Sequence, residues 1–150
     1  MYIYLVQHGE AKPEDEDPEK RLSEKGKKDV EAVAKMVSSS ARLIKIYHSG
    51  KARARETAEI FSKYLNSEVE QIDGLKPLDN PTAMKKFIEL SGKDLMLVGH
   101  LPHLSKLTSL LITGNSEKAI VSFNMGGVVA LKKDGESFLL EWAVIPSLLK

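Results

Sequence analysis

Two histidines each stand at the end of a short apolar stretch of the sequence. His8 closes the stretch that contains Tyr2 to Val6, and His100 closes the stretch that contains Leu95 to Val98. A neutral imidazole can attack phosphorus when its other ring nitrogen is held as a hydrogen-bond donor. The two residues are therefore candidates for nucleophilic chemistry.

A third apolar stretch leads to cationic side chains that suit a phosphate group. Leu43 to Tyr47 is followed by a segment with Lys51 and Arg53, which opens a helical pattern. A guanidinium stays charged and binds phosphate oxygens in pairs, and phosphoryl transfer needs mainly positioning and charge neutralisation. Imidazoles and guanidiniums at strand ends therefore predict a phosphate pocket that works without a metal ion.

Buried strands that alternate with helices must position these groups. All three apolar stretches are nearly continuous and β-prone, which is typical of strands buried on both faces of a parallel sheet. Between these stretches, and again after Leu95 to Val98, apolar residues recur at helical spacing. The segments are 24–40, 57–65, 84–88 and 104–111. The alternation predicts an α/β fold, in which ligands bind at the carboxyl ends of the strands.

Capping and turn residues add detail to this prediction. Ser23 precedes the first helical segment and Pro81 begins the third, and both residue types favour a helix N-terminus at those places. Gly127 to Leu131 and Phe138 to Ile145 flank a polar turn over 132–135, which indicates a β-hairpin. The hairpin would add an antiparallel edge, so we expect a mixed sheet.

Composition limits the classes of protein to consider. A chain of 150 residues with 42% hydrophobic content can bury one core, so we expect a single domain over 1–150. Lysine and arginine number 22 and aspartate and glutamate 21, so no global charge favours nucleic acid or an anionic membrane. The chain has no cysteine, and its first apolar stretch is too short for a membrane span or a signal peptide. We therefore expect a cytoplasmic protein.

Four motifs resemble those of the histidine phosphatase superfamily, the phosphoglycerate mutase-like group. They occur in family order and with family spacing, and a set of this kind is more specific than any one member. The short chain and the Gly-His-x-Pro form of the last motif resemble the SixA-type phosphohistidine phosphatase branch. The motifs are Leu5-Val6-Gln7-His8-Gly9-Glu10-Ala11, Arg21-Leu22-Ser23 with Gly26, Ser49 with Arg53-Ala54 and Thr57-Ala58, and Val98-Gly99-His100-Leu101-Pro102.

The resemblance implies a three-layer αβα fold with a mostly parallel mixed sheet, and it implies roles for single residues. His8 would be the nucleophile that becomes phosphorylated, and Arg21 and Arg53 would clamp the phosphoryl oxygens. His100 would donate a hydrogen bond to the phosphoryl group and stabilise charge in the transition state. Gln7 stands where the superfamily generally has arginine, so it can still donate to phosphate but brings no charge. No cofactor and no metal is implied.

The general acid is the least defined part of this expected site. Mutases of the superfamily carry a carboxylate in an insertion, but the corresponding stretch here, Glu68 to Pro77, looks too short for one. Leu101 stands where acid phosphatases of the superfamily have aspartate. Glu10 is the nearest candidate by sequence. The gap favours a leaving group that needs little help, such as the imidazole of a phosphohistidine.

Several alternatives stay open at this stage. The preferred substrate is a phosphohistidine on a partner protein, and a small phosphomonoester is the second choice. A weakly active phosphate-binding regulatory module would follow if Gln7 removes turnover, and a mutase is a further possibility. Arg21 could instead form a surface ion pair with the acidic run Glu14 to Asp17.

The remaining histidines also have two interpretations. His48 and His103 are interpreted as structural residues, as a lone histidine after a strand usually is. His100 and His103, three residues apart, could bind zinc together with His8. Against zinc, no carboxylate is suitably placed in the motif and nearby arginines would repel a cation. We therefore expect no metal site.

Overall fold

The computed structural model describes residues 1–41 and 44–149, and within them strands and helices alternate before a final hairpin. None of the helices in this part of the chain combines the length and the apolar composition that crossing a bilayer requires. The elements are β1 (Tyr2–Gln7), α1 (Glu24–Val37), β2 (Lys45–His48), α2 (Ala52–Leu65), β3 (Glu68–Gln71), α3 (Pro81–Ser91), β4 (Leu95–Gly99), α4 (His103–Thr113), β5 (Val128–Asp134), β6 (Ser137–Val144) and a 3-10 turn (Pro146–Leu148).

The six strands form one mixed sheet in the order β3-β2-β4-β1-β5-β6. The first four strands in this order run parallel, whereas β5 is antiparallel to β1 and β6 is antiparallel to β5. The predicted mixed sheet and the predicted hairpin are therefore confirmed. Of the predicted second strand, Leu43 lies outside the described residues, and β2 continues through His48.

Helices cover both faces of the sheet and create two cores. On one face, α1 and α2 pack against strand residues that include Val6 and Val98. On the other face, α3 and α4 pack against residues that include Leu5 and Leu97. Because successive residues of β1 and β4 point into different cores, their sequences are apolar at every position. The three-layer αβα prediction is confirmed.

The helix boundaries follow local hydrogen bonds. The Ser23 side chain accepts a hydrogen bond from the Gly26 N–H at 3.0 Å, which caps α1 as predicted. The predicted extension of α1 to Ser40 is wrong, because the helix ends at Val37. The Ser38 hydroxyl donates to the Lys35 carbonyl at 2.8 Å, a local bond of the kind that weakens a helix end.

Gly26 sits where α1 approaches the loop after β1. A Cβ atom added at this position would overlap the carbonyl oxygen of Glu10. Alanine normally improves an exposed helix position by about 1 kcal/mol over glycine. Because the overlap opposes this gain, we expect Gly26→Ala to lower the free energy of unfolding by about 1–3 kcal/mol, as overpacking does.

Urea denaturation of both proteins measures this change. Lys28→Ala is the control, because Lys28 is exposed on the same helix and its replacement by alanine, another good helix former, creates no new contact. A Gly26→Ala variant as stable as the wild type, or more stable, would show that the contact with Glu10 is loose.

Candidate active site

The two candidate histidines lie side by side because their strands are neighbours. β1 and β4 pair in parallel, with Gln7 opposite Gly99. The His8 N–H donates to the Gly99 carbonyl at 3.1 Å, which extends the ladder by one bond. The ring centroids of His8 and His100 are 5.1 Å apart, with the planes tilted by 49°. The sheet therefore places two imidazoles at one carboxyl-end site.

The tautomer of His8 follows from a single hydrogen bond. Its Nδ1 lies 2.7 Å from the carbonyl oxygen of Gly9. A carbonyl can only accept, so Nδ1 carries the proton and Nε2 keeps a free lone pair. The ring is half-buried, which leaves one side open to a ligand. His8 therefore has the protonation pattern that a nucleophilic imidazole needs.

Thr57 connects the His8 turn to the first turns of α2. The Gly9 N–H donates to the Thr57 hydroxyl oxygen at 3.0 Å, and the Thr57 hydroxyl donates to the Arg53 carbonyl at 2.8 Å. Thr57 is fully buried, so both bonds are shielded from water. The backbone beside the nucleophile and the backbone of Arg53 are thus held by one side chain. Thr57 belongs to the same family motif as Ser49 and Arg53, but the sequence alone indicated no role for it.

Ser49 holds the second imidazole. The Ser49 Oγ lies 2.7 Å from the His100 Nε2, and both residues are 2% exposed. The Lys51 N–H donates to the same hydroxyl oxygen at 3.3 Å. His100 Nδ1 is buried and has no partner among residues 1–41 and 44–149. Sequence reasoning did not name Ser49 as a site residue, although its position at the end of β2, next to β4, is the signal that identifies it.

Burial keeps both imidazoles neutral near neutral pH. For His8, burial lowers the pKa below its usual 6.5, the bond to Gly9 raises it in part, and the charges of Arg53 and Lys20 lower it further. For His100, burial is again the largest cause, and the charges of His8 and Arg53 add to it, so that the pKa falls to about 3.

These shifts predict where the two rings titrate. We expect the imidazole signals of His8 and His100 in nuclear magnetic resonance to keep their neutral form as the pH falls through 6.5, the usual value for both. Protonation should follow at lower pH for His8 and at the lowest pH for His100. A midpoint for His8 at or above the usual value would contradict the burial argument.

Arg53 supplies a permanent positive charge in the first turn of α2. Burial lowers the pKa of its guanidinium, but an arginine remains protonated under such conditions. Arg53 forms no ion pair with any carboxylate of residues 1–41 and 44–149. Its charge acts on both imidazoles. The guanidinium is therefore available to an anion beside the two rings.

Arg53 also lines an open cleft of about 400 Å³ between the acidic loop and the start of α2, which we call the Arg53 cleft. The two imidazoles are not among its lining residues, so Arg53 connects the cleft to the histidine pair. The lining residues are Glu14, Pro18, Glu19, Lys20, Gly50, Lys51, Ala52, Arg53 and Arg55.

Arg21 is paired with the acidic loop in this structure. Its Nε lies 2.9 Å from Asp17 Oδ2 and its Nη2 lies 3.4 Å from Asp17 Oδ1, while half of the side chain remains exposed. The bond from Arg21 holds the pKa of the Asp17 carboxyl at about 2. The structure therefore shows the ion pair that was the alternative interpretation of Arg21, and its contact with phosphate stays a prediction.

The other two predicted site residues differ in their surroundings. Gln7 ends β1, and its side-chain Oε1 is buried without a hydrogen-bond partner in the described part of the chain. The Glu10 carboxylate accepts from the Ser23 hydroxyl at 3.2 Å and lies 3.8 Å from the Lys25 ammonium. The observed contacts of Glu10 are thus with the start of α1 and not with either imidazole. Its role as an acid stays a prediction.

The two remaining histidines, His48 and His103, are both buried. His48 is 5% exposed, and its Nδ1 accepts a hydrogen bond from the Gly50 N–H at 3.0 Å, as expected for a structural residue. His103 is fully buried at the start of α4. Within residues 1–41 and 44–149 no three metal-ligating side chains gather closely enough to hold an ion, so the zinc alternative gains no support.

Comparison with known proteins agrees with this geometry. The model of the histidine phosphatase superfamily (branch 1) matches residues 3–100. The solved structure of the protein histidine phosphatase SixA complexed with tungstate is similar, with a TM-score of 0.88 and 20% identity over the whole of both chains. A protein assigned as the phosphohistidine phosphatase SixA of Agrobacterium tumefaciens has a TM-score of 0.79 and 23% identity over 97% of each chain. A phosphoserine phosphatase mutant from Entamoeba histolytica, in complex with phosphoserine, has a TM-score of 0.71 and 15% identity over 95% of each chain.

The family match covers the segment that carries the site. At these low identities, the solved structures show that the fold is shared, and no curated protein matches the sequence significantly. The matched residues include His8, Arg53 and His100, which the fold brings to one edge of the sheet. The chain therefore belongs to branch 1 of the histidine phosphatase superfamily and is a phosphatase.

Proposed function

We propose that this phosphatase works by double displacement through a phosphohistidine on His8, without a metal ion. The observation that carries the proposal is the hydrogen bond from His8 Nδ1 to the Gly9 carbonyl. Because Nδ1 holds the proton, Nε2 has a free lone pair, and the ring lies beside His100. A nucleophile of this kind is available over the neutral pH range because its pKa is lowered.

The reaction has two steps. In the first, His8 Nε2 forms a bond to phosphorus while the bond to the leaving group breaks, and the leaving group takes up a proton from solvent. In the second, water attacks phosphorus, the bond to His8 Nε2 breaks, and inorganic phosphate forms with His8 neutral again. In the transition state of both steps, negative charge is spread over the phosphoryl oxygens. Catalysis therefore depends mainly on positioning the substrate and neutralising this charge.

Arg53 and His100 stabilise this charge. The unpaired guanidinium of Arg53 binds two phosphoryl oxygens as a fork. His100 contributes its buried Nδ1, since Ser49 engages Nε2. A hydroxyl that donates to Nε2 places the ring proton on Nδ1, which then donates to the phosphoryl group.

Arg21 and Gln7 complete the proposed phosphate contacts. The Asp17 carboxylate engages Nε and Nη2 of Arg21, so Nη1 remains free to donate to a phosphoryl oxygen. Asp17 would then position the guanidinium as a second clamp. The amide nitrogen of Gln7 adds a neutral donor at the end of β1.

The preferred substrate is a phosphohistidine on a partner protein. The Glu10 carboxylate, which is the candidate acid, contacts Ser23 and Lys25, so the site best suits a leaving group that does not need a strong acid. A phosphohistidine imidazole accepts a proton readily near neutral pH and does not need such an acid. The open Arg53 cleft also leaves room for a bulky substrate. SixA, the similar solved structure, is named a protein histidine phosphatase.

A trapped intermediate tests the mechanism. The protein is mixed with a phosphate-labelled phosphohistidine peptide in the presence of EDTA, quenched, digested and mapped by mass spectrometry. We expect a label on His8 that is lost in acid and stable in alkali. A label on another residue, or activity that EDTA abolishes, would overturn the mechanism.

Steady-state rates separate the alternative substrates. Higher kcat/KM for the phosphohistidine peptide than for phosphoserine or an aryl phosphate supports the preferred substrate class, and the reverse order supports a small phosphomonoester. Tight binding of inorganic phosphate without turnover of any substrate would favour the regulatory module. Transfer of the phosphoryl group to a second hydroxyl of a sugar acid would indicate a mutase.

A further inference from the structure

The residue that precedes the proposed nucleophile carries no charge. Gln7 is neutral, and its Oε1 is buried with no partner in residues 1–41 and 44–149. A phosphoryl dianion taken out of water needs compensating charge, and a charged hydrogen bond contributes more than a neutral one. Another cation beside His8 would remove this deficit.

The Arg53 cleft contains such cations, but they differ in their partners. Arg55 lies 3.9 Å from the Glu59 carboxylate, so its charge is already matched. Lys20 and Lys51 line the same cleft and form no ion pair within the described residues. Lys51 belongs to the start of α2, whereas Lys20 lies across the cleft from it, on the acidic loop.

The backbone of Lys20 is held in an uncommon conformation. Its φ angle is +53°, in the left-handed region that favours glycine. The Lys20 N–H donates to the Asp17 carbonyl at 2.8 Å. The Asp17 carboxylate accepts from the Glu19 N–H at 3.1 Å and from the Arg21 N–H at 3.2 Å. One buried carboxylate thus fixes the turn on both sides of Lys20.

A lysine kept at a position that suits glycine points to a use for its side chain. Lys20 is half-buried, so part of the residue packs against the protein. Its charge is also felt at the nucleophile, where it acts with Arg53 to lower the pKa of His8. The turn therefore holds a cation without an ion-pair partner in the described residues on the loop wall of the cleft, where its charge acts on His8.

We propose that Lys20 is a phosphate-binding residue of this enzyme and that it supplies the charge that Gln7 does not. The proposal rests on the proposed function. The tight turn after Asp17 would then position the Lys20 ammonium group on one wall of the Arg53 cleft, opposite the start of α2. The phosphoryl group would then contact cations from both walls of the cleft.

A set of variants at position 20 tests the proposal. We expect Lys20→Met to raise the inhibition constant of inorganic phosphate by roughly 10- to 100-fold, the range of a charged hydrogen bond. Methionine keeps an unbranched side chain, so the strain at positive φ changes little. Lys20→Arg should retain most of the affinity. Lys20→Gln, a polar second variant, should weaken inhibition as Lys20→Met does.

Gln7→Arg provides a second, independent comparison. It should tighten phosphate inhibition in the wild type and should restore the affinity of the Lys20→Met protein toward the wild-type value. Lys86→Met is the matched control, since Lys86 is exposed on α3 and away from the cleft. We expect its inhibition constant to be unchanged.

The outcomes distinguish this proposal from the function on which it rests. If hydrolysis depends on His8 but phosphate inhibits Lys20→Met and Lys20→Gln as strongly as the wild type, the Lys20 proposal is wrong and the phosphatase mechanism stands. If hydrolysis does not depend on His8, the mechanism fails first. The proposal would also be overturned if Lys20→Arg raised the inhibition constant of phosphate as much as Lys20→Met. That result would show that the side chain has a structural role.

Discussion

His8→Gln should lower kcat for hydrolysis of an aryl phosphate by about 10⁴-fold or more, as removal of a covalent nucleophile does in other enzymes. The glutamine amide can still donate to the Gly9 carbonyl, which His8 Nδ1 contacts at 2.7 Å, so the turn should persist. What the variant lacks is the lone pair of Nε2. Initial rates with p-nitrophenyl phosphate measure the loss, and the phosphoryl label should disappear with it.

His48→Asn is the matched control for this loss. His48 ends β2, which β4 separates from β1, and its Nδ1 accepts from the Gly50 N–H at 3.0 Å, a role that an asparagine oxygen can take over. We expect its rate to stay within a few-fold of the wild type. A His8→Gln protein that hydrolyses substrate at a rate comparable to His48→Asn would show that His8 is not the nucleophile.

Arg53→Met should lower kcat/KM by about 10²- to 10³-fold, the range observed when one main transition-state donor is removed. Its guanidinium is half-buried, has no carboxylate partner in the described residues, and acts on both imidazoles. Methionine keeps the packing of the aliphatic stem but removes the fork and the charge. Arg53→Lys should recover part of the loss, because it restores charge without bidentate geometry.

Arg55→Met is the control on the same helix. Arg55 also lines the Arg53 cleft, but it is exposed and Glu59 matches its charge, so its removal breaks a surface ion pair. We expect a change of less than about two-fold in kcat/KM, since such pairs contribute little. Equal losses for Arg53→Met and Arg55→Met would mean that general electrostatic attraction, and not a specific clamp, explains the effect. The comparison requires constant ionic strength.

The sequence was sufficient to predict the parts of the site that follow from single strands. The apolar stretches before His8 and His100 predicted buried parallel strands, and the ends of those strands predicted where the two imidazoles lie. Their direct contact depends on β1 and β4 being neighbours. Strand order is not encoded in any one segment, because it results from how the crossover helices pack.

The features that were missed depend on tertiary contacts or on weak local signals. β3 reads Glu-Val-Glu-Gln, is mostly exposed and pairs only with β2, so it lacks the apolar run that marks a buried strand. The bond between Ser49 and His100 joins the ends of two strands that are far apart in sequence. The pairing of Arg21 with Asp17 was not missed, since it was one of the two interpretations of Arg21; motif spacing cannot decide between them because they differ in side-chain conformation.

The hairpin of β5 and β6 contains none of the family motifs, yet β1 depends on it. β5 pairs with β1 from Tyr2 to Val6, so the strand that leads to His8 lies inside the sheet. In a fragment that stops after α4, β1 would be an edge strand. The backbone groups that now pair with β5 would be exposed to water and to the sheets of other molecules. Fraying there would release the turn that orients His8. The segment that defines the family would therefore need its motif-free C-terminal ribbon in order to keep a nucleophile in place.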